Sequence, residues 1–249
     1  MSLQPTAGWI VRRTIMSVLF WIFAFSLLLY MAGLRVNWQA KTVRATSSIF
    51  IELSGRVKEP IEYILNGQAS AGTAPVTISQ LTPGAYTLIV RQPDHQEWHR
   101  SFRLEPGEAA NFTDIMLVPT IITSREPSEA ELKLIEGPLI IADADLRVDG
   151  SELYLTDREN KETLLLRLSE NIGQALWLPD QVHIIVLAGQ SVALVEKTGT
   201  NMTPLFTVPQ DVINRIFLTK DGATVLVQSG SAVSAYDFFD QSGPFWTHL

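Results

Sequence analysis

The sequence predicts an all-β ectodomain behind one N-terminal transmembrane α-helix. Three observations predict this fold class. An uncharged run of 21 residues lies between Thr14 and Leu34, short apolar runs broken by Gly, Pro and Asn fill residues 48–119, and a repeat of about 40 residues follows residue 131. We therefore expect a small β-sandwich and then a set of four-stranded, propeller-like repeats.

The uncharged run is the first element. A helix of that length spans roughly 30 Å, which is the thickness of the hydrocarbon core of a bilayer. Leu, Phe, Ile and Val dominate the run, and aromatic residues that favour the headgroup layer lie at or towards its ends: Trp9, Trp21, Tyr30 and Trp38. The run is interpreted as an uncleaved signal-anchor over residues 14–34.

A cleaved signal peptide is the alternative, because Arg12 and Arg13 supply a basic segment before the apolar run. The run is longer than a usual signal-peptide core, and no pair of small residues at A-x-A spacing follows it. The same two arginines also resemble a twin-Arg export signal, although two basic residues before a span are its ordinary flank.

Orientation follows from charge. Lys and Arg are nearly balanced across the span, with Arg12 and Arg13 before it and Arg35, Lys41 and Arg44 after it. All 26 acidic residues and 16 of the 19 Lys and Arg residues follow Arg35, so the remainder carries a formal charge of −10. We expect residues 1–13 to be a cytosolic tail, 35–47 a juxtamembrane segment, and the acidic body extracytoplasmic in the cell envelope.

Composition excludes several functions. The acidic body lacks the clustered Lys and Arg that a nucleic-acid surface needs. The chain has no Cys, which removes disulfides, thiolate nucleophiles and Cys-based metal sites. No cofactor is expected.

Residues 48–119 contain six strand-length apolar runs: IFIEL, IEYIL, VTI, AYTLIV, HRSFRL and DIMLV. Along the AYTLIV run and the residue after it, Tyr86, Leu88 and Val90 fall on one face, and Thr87 and Arg91 fall on the other. Asn66-Gly67 and Pro83-Gly84 place residues that tolerate a positive φ where the chain must reverse. This pattern predicts the β-sandwich.

The order of motifs in this segment resembles the PEGA domain. Asn66-Gly67 is followed by Gly72 to Ile78, by LTPGAY (Leu81 to Tyr86), by the aromatic bend at Trp98, and by LEPGE (Leu104 to Glu108). Two features depart from the family: Lys58, Glu59, Pro60 and Ile61 replace the tetrapeptide that names it, and Asp94-His95 replace a Gly-Tyr pair. The resemblance implies an extracytoplasmic interaction module, often membrane-anchored and without a known catalytic site.

A Ser-, Thr-, Pro- and Glu-rich linker is predicted at residues 120–131, and three repeats at 132–249. RVDGSELYLTD, VLAGQSVALVEK and VQSGSAVSAYDF superimpose with Gly150, Gly189 and Gly230 in register, 39 and 41 residues apart. Each is followed by an outer strand (TLLLRL, TPLFTV or PFWTH), and the second and third are preceded by ALWLPD and RIFLTKDG. The period resembles WD40- or TolB-like propeller blades, although the WD dipeptide is absent.

No catalytic, cofactor or metal residue is assigned from the sequence. GQSVA around Ser191 nearly matches a nucleophile elbow, but it lies between two β-runs, so a hairpin turn is favoured. Asp143, Asp145 and Asp149 alternate as in a calcium-binding strand, but a solvated face is the preferred interpretation. His95 and His99 lack a recognisable third ligand.

No functional role is predicted for the other polar residues. His183 and His248 are isolated, and Ser17 and Ser26 inside the span are expected to bond to their own helix. Formal glycosylation sequons occur at Asn111 and Asn201.

These observations favour a non-enzymatic, single-pass surface protein that binds another protein or an envelope polymer. An enzyme acting on envelope glycans or peptides is the first alternative, and a sensing subunit of a signalling complex is the second. Three repeats are fewer than the four to eight blades that usually close a propeller. Leu164, Leu166, Phe206 and Trp246 are expected to expose apolar surface on outer strands, which predicts self-association or another envelope partner.

Overall fold

The apolar run near the N-terminus forms the helix α1 (Ala7–Met31) in the computed structural model. Neither Gly nor Pro interrupts it between Trp9 and Met31. Its segment Arg12–Met31 has a mean hydropathy of 2.1, and no part of the most apolar window is buried inside the protein. The helix fits a membrane anchor by length and composition, and a signal sequence passes the same test. The predicted span extended to Leu34, but Leu34 already belongs to the first strand.

The structure describes residues 7–31, 34–37, 42–54, 60–136, 142–143, 145–209 and 214–238. The chain divides into two compact units. One comprises the described parts of Met1–Glu52, Pro75–Thr87 and Ser101–Thr113, and the other those of Leu53–Ala74, Leu88–Arg100 and Asp114–Leu249. Four strands of the predicted sandwich contribute residues to both units. The described residues are mostly β-structure, which confirms the all-β fold class.

The described residues before residue 119 form nine strands. Strands β1 and β2 form an antiparallel pair in the predicted juxtamembrane segment, and the other seven form two sheets of order β6-β3-β9 and β5-β4-β7-β8. Their bounds are β1 Leu34–Asn37, β2 Thr42–Ala45, β3 Ser47–Leu53, β4 Pro60–Leu65, β5 Gln68–Thr73, β6 Val76–Leu81, β7 Gly84–Arg91, β8 Trp98–Leu104 and β9 Ala109–Ile115.

Five of the six predicted runs coincide with strands, and two differences have a local cause. Strand β5 (QASAGT) has no apolar side chain larger than Ala, so it carries no hydrophobic pattern. The DIMLV run is a strand only as far as Ile115. Met116 and Val118 instead pack into a core with the repeat sheets, so their apolar character reflects burial outside a strand.

The LTPGAY motif has a structural role within the first unit. The hydroxyl of Tyr86 donates to the carbonyl of Thr82 at 2.6 Å, which ties β7 to the turn before it. The Tyr86 ring stacks on Phe102 with 6.0 Å between centroids, and Phe102 meets Phe112 edge-on at 4.9 Å. This aromatic row fixes the positions of β7, β8 and β9.

Three further sheets follow. We call them the first, second and third repeat sheets, with the orders β11-β12-β13, β14-β15-β16-β17 and β10-β20-β19-β18. The bounds are β10 Ser124–Arg125, β11 Leu146–Asp149, β12 Glu152–Thr156, β13 Glu162–Arg167, β14 Ile172–Trp177, β15 His183–Ala188, β16 Ser191–Glu196, β17 Thr203–Thr207, β18 Asn214–Leu218, β19 Thr224–Ser229 and β20 Ala232–Asp237.

The glycines that defined the sequence repeat occupy equivalent turns. Gly150, Gly189 and Gly230 have φ values of 60°, 54° and 63°. Each begins a two-residue hairpin turn, because the flanking pairs are Asp149 with Glu152, Ala188 with Ser191, and Ser229 with Ala232. A positive φ favours Gly, which explains the shared residue.

The predicted linker differs from the structure. Its residues include β10, which pairs with β20 through Ser124 and Arg125, and the start of helix α2 (Glu129–Ile135). Ser128 and Glu131 form a reciprocal capping box at that helix. The S-x-x-E signal was present in the sequence, but the polar composition suggested a linker. The outer strand predicted for the third repeat, PFWTH with Trp246, lies outside the described residues.

In the described part of the repeat region, two apolar cores join the three repeat sheets. One lies between the first and second sheets and includes Leu153, Ile184 and Val195. The other joins the second and third sheets and includes Val192 and Val225. Burying one Val, Leu or Ile side chain stabilises the fold by about 1.5–3 kcal/mol relative to leaving it exposed. The two cores therefore hold the first sheet against the second and the second against the third.

The apolar residues expected on outer strands differ in exposure. Leu164 is 44% exposed, whereas Leu166 packs against the first core. The ring of Phe206 stacks on that of Tyr236 with 3.8 Å between centroids. Among the described residues of that set, Leu164 is therefore the one that retains substantial exposed apolar surface.

Candidate functional site

A cleft forms where β14 and β18, edge strands of the second and third repeat sheets, end. Strand β14 ends at Trp177, and the chain continues through Leu178, which is buried, to Pro179, which is half-buried. Strand β18 ends at Leu218. The cleft has a volume of about 440 Å³, and these residues line it together with polar side chains from the same turns and from the segment before β11. Its size is typical of small-molecule sites.

One wall of the cleft is a tight turn after β18. The hydroxyl of Thr219 donates to Asp221 Oδ1 at 2.6 Å, and the Ala223 amide donates to the same oxygen at 3.1 Å. Gly222 has a φ of 66°, and a Cβ added there would lie 2.5 Å from Pro179 Cδ. The turn therefore sits directly against the end of β14, and both geometry and space require glycine.

The segment before β11 contributes two carboxylates to the cleft, and both hold Trp177. The backbone amide of Trp177 donates to Asp143 Oδ2 at 2.7 Å, and its indole Nε1 donates to Asp145 Oδ1, also at 2.7 Å. The first bond holds the backbone of Trp177 and the second holds its side chain, which also packs against the first core. Lys220 and Gln181 add an ammonium and an amide to the same cleft.

The three aspartates that were considered as calcium ligands, Asp143, Asp145 and Asp149, do not lie together in the structure: Asp143 and Asp145 bond to Trp177, and Asp149 bonds elsewhere. Asp149 accepts from Arg147 NH1 at 2.9 Å on the face of the first repeat sheet. Arg147 also bonds to Glu162 on β13 and lies 4.3 Å from the centroid of the Tyr154 ring. Within the described part of the chain, no group of three His, Cys, Asp or Glu residues is arranged to hold a metal ion.

Asp180 and His183 form a buried pair beside the cleft. His183 Nδ1 lies 2.5 Å from Asp180 Oδ2, and the amides of Val182 and His183 donate to Asp180 Oδ1 at 2.9 and 3.0 Å. Burial alone raises a carboxyl pKa, but the hydrogen bonds and the charge interaction with His183 hold the pKa of Asp180 below its ordinary value. His183 is 2% exposed, so its contact with Asp180 is shielded from water. Because Asp180 also accepts from two amides of the same turn, the pair stabilises the turn before β15.

Sequence reasoning missed a polar cluster around buried Glu196. Its Oε1 accepts from Trp98 Nε1 at 2.8 Å and from Asn201 Nδ2 at 2.6 Å. Its Oε2 accepts from Arg100 NH2 at 2.8 Å. These contacts attach β8 to the turn between β16 and β17. No local pattern predicts them, because 96 residues separate Arg100 from Glu196.

The remaining predicted residues do not converge. Ser191 is the exposed first residue of β16, directly after a hairpin turn. His95 Nδ1 lies 2.8 Å from the carbonyl oxygen of Pro93, and His99 is exposed on β8. The other residues singled out earlier have these positions: Asn111 on β9, Asn201 before β17, and Ser17 and Ser26 exposed on α1. Lys58, Glu59 and His248 lie outside the described residues.

Comparison with known proteins supports the domain resemblance. Residues 63–119 match the PEGA domain. No curated protein matches the sequence. A solved structure titled "The Bacillus anthracis TIE protein" matches at 11% identity and a TM-score of 0.27, over 80% of this chain and 32% of that one. The chain thus combines one N-terminal apolar helix with a segment similar to the PEGA domain.

Proposed function

We propose that this protein is a membrane-anchored surface protein of the cell envelope, whose β-rich body binds another protein or an envelope polymer without catalysis. The observation that carries the proposal is the apolar helix α1. Its side chains from Arg12 to Met31 find no cover inside the protein, and exposing that surface to water would be costly at roughly 25 cal/mol per Å². A bilayer supplies the missing cover.

Two further features support the proposal. The match to the PEGA domain agrees with an extracytoplasmic location. Ser191, the residue closest to a nucleophile motif, is the first residue of β16 after a hairpin turn and does not lie on the strand-to-helix turn that such a motif requires. We also propose that the repeat sheets act as propeller-like blades, because their hairpin turns are equivalent and β10 closes the third sheet.

Limited proteolysis of intact cells tests the location. We expect protease added outside to remove the β-rich body and to leave a membrane fragment that contains α1, at the mass expected of an uncleaved N-terminus. A body digested only after lysis would reverse the orientation, and a mature protein that lacks α1 would show a cleaved signal peptide.

A substrate screen tests the non-catalytic role. Wild-type protein and Ser191→Ala are compared on envelope glycans and peptides, with folding checked by thermal unfolding. We expect no turnover that depends on Ser191. An activity lost in the folded variant would favour the enzyme alternative.

A further inference from the structure

We propose that the cleft between the ends of β14 and β18 binds one sugar residue of an envelope polymer. The proposal rests on the binding role above and names the ligand class of that role. Its basis is the juxtaposition of Trp177 with two carboxylates, one ammonium and one amide in a walled cleft of about 440 Å³.

The cleft is built before any ligand arrives. Asp143 and Asp145 hold Trp177 through two hydrogen bonds of 2.7 Å. The Thr219 hydroxyl and the close approach of Gly222 to Pro179 hold the turn after β18. A site with its side chains already fixed loses little conformational entropy on binding.

The polar groups match a polyhydroxylated ligand. Sugar hydroxyls both donate and accept, so they pair with acceptors and donors alike. Asp143 and Asp145 offer carboxylate oxygens, Lys220 offers donors, and Gln181 offers both. Trp177 and Leu218 supply the apolar surface that the C–H groups of a sugar ring can cover.

Two other ligand classes fit less well. A cationic group would meet the Lys220 ammonium inside the same cleft, so its attraction to the carboxylates would be offset. Calcium takes six to eight oxygen ligands, whereas Asp143 and Asp145 each already use one oxygen to accept from Trp177. The mixture of charges therefore favours a neutral, hydroxyl-rich ligand.

Binding is measured on the full-length chain in lipid nanodiscs that are prepared without glycoside detergents, because such detergents carry sugar headgroups. The probes are maltose, cellobiose and N,N′-diacetylchitobiose at millimolar concentration, followed by saturation-transfer NMR. We expect at least one disaccharide to bind. Failure of all three overturns the proposed ligand class, while the proteolysis experiment judges the surface role separately.

Variants locate the site. Lys220→Ala and Gln181→Ala alter exposed residues, and each is expected to weaken binding by about threefold to tenfold. Lys161→Ala removes an exposed lysine outside the cleft and should leave affinity unchanged. Binding that survives both cleft variants would place the sugar elsewhere and overturn the proposal.

A cationic probe distinguishes a site for a neutral sugar from a site for a cation. Nα-acetyl-lysine methylamide is titrated into wild type and Lys220→Ala. Under the sugar proposal this probe binds neither protein measurably. Binding that tightens in Lys220→Ala, together with no disaccharide binding, would identify a cation site and overturn the sugar assignment.

Discussion

At the level of single residues, Arg125 joins β10, α2 and β20. Its guanidinium bonds to both oxygens of Glu131 at 2.9 and 2.7 Å and to both oxygens of Asp237 at 2.6 and 2.9 Å. Hydrogen bonds from Arg125 lower the pKa of Glu131 to about 2. The carboxylates of Glu131 and Asp237 raise the pKa of Arg125, so the Arg125–Glu131 pair is charged at neutral pH.

The variant Glu131→Gln tests this cluster. Gln keeps the capping-box geometry but removes the charge. We expect the free energy of unfolding to fall by about 1 kcal/mol at pH 7, because partly exposed ion pairs are worth less than their pKa shifts suggest. The folded pKa of Glu131 lies below its unfolded value, so this stabilisation is present above about pH 4.5 and is lost as pH falls towards 2.

Urea unfolding of wild type, Glu131→Gln and the exposed control Glu129→Gln at pH 7 and pH 3 provides the measurement. The difference in the free energy of unfolding between wild type and Glu131→Gln should be smaller at pH 3 than at pH 7. The control Glu129→Gln should have the same free energy of unfolding as wild type at both pH values. An equal difference in the free energy of unfolding at the two pH values would show that the charge of Glu131 is not what stabilises the protein.

A second residue-scale prediction concerns Glu196. Replacing it with Ala leaves the donors of Trp98, Arg100 and Asn201 without their carboxylate, so we expect destabilisation of about 2–4 kcal/mol. Chemical unfolding compares Glu196→Ala with Glu159→Ala, which removes an exposed carboxylate. Equal stability of the two variants would show that the cluster contributes nothing.

At the level of elements, the turn after β18 depends on close packing. Gly222 and Gly107 both have a positive φ, of 66° and 79°, but a Cβ meets Pro179 only at Gly222, while Gly107 has open space. Gly222→Ala should therefore cost about 1–3 kcal/mol more than Gly107→Ala, since overpacking adds to the shared backbone strain. Thermal unfolding of both variants measures the difference, and equal losses would mean that the turn relaxes freely.

At the level of the whole molecule, self-association remains a prediction. Leu164 is exposed on β13, and the same sheet carries ion pairs between Arg147 and Glu162 and between Arg167 and Glu152. A small apolar centre with a charged rim is the usual anatomy of a protein interface, and confinement to one membrane raises the effective concentration.

Light scattering of the full-length chain in detergent tests that prediction. We expect a dimer at micromolar concentration, and Leu164→Lys should shift it towards monomer because it places a charge at the centre of the contact. Thr163→Lys, on the same strand, serves as the comparison. Wild-type protein that stays monomeric throughout would show that the first repeat sheet needs no covering partner.

Local patterns in the sequence alone determined much of the architecture. The uncharged run specified α1, because helix length and hydropathy are properties of a contiguous segment. Gly150, Gly189 and Gly230 specified equivalent hairpins, since a two-residue turn requires particular backbone angles. The LTPGAY motif and its neighbours likewise identified the PEGA-like segment.

Contacts between distant segments were decided only by the tertiary structure. The Glu196 cluster, the pairing of β10 with β20 and the cleft around Trp177 each join residues far apart in sequence. Asp143 and Asp145 alternate in the sequence, yet both bond to Trp177, which donates its backbone amide to Asp143 and its indole N–H, 32 residues away, to Asp145. Periodicity reports which face of a strand is apolar, whereas the sheet that covers that face depends on how the whole chain packs.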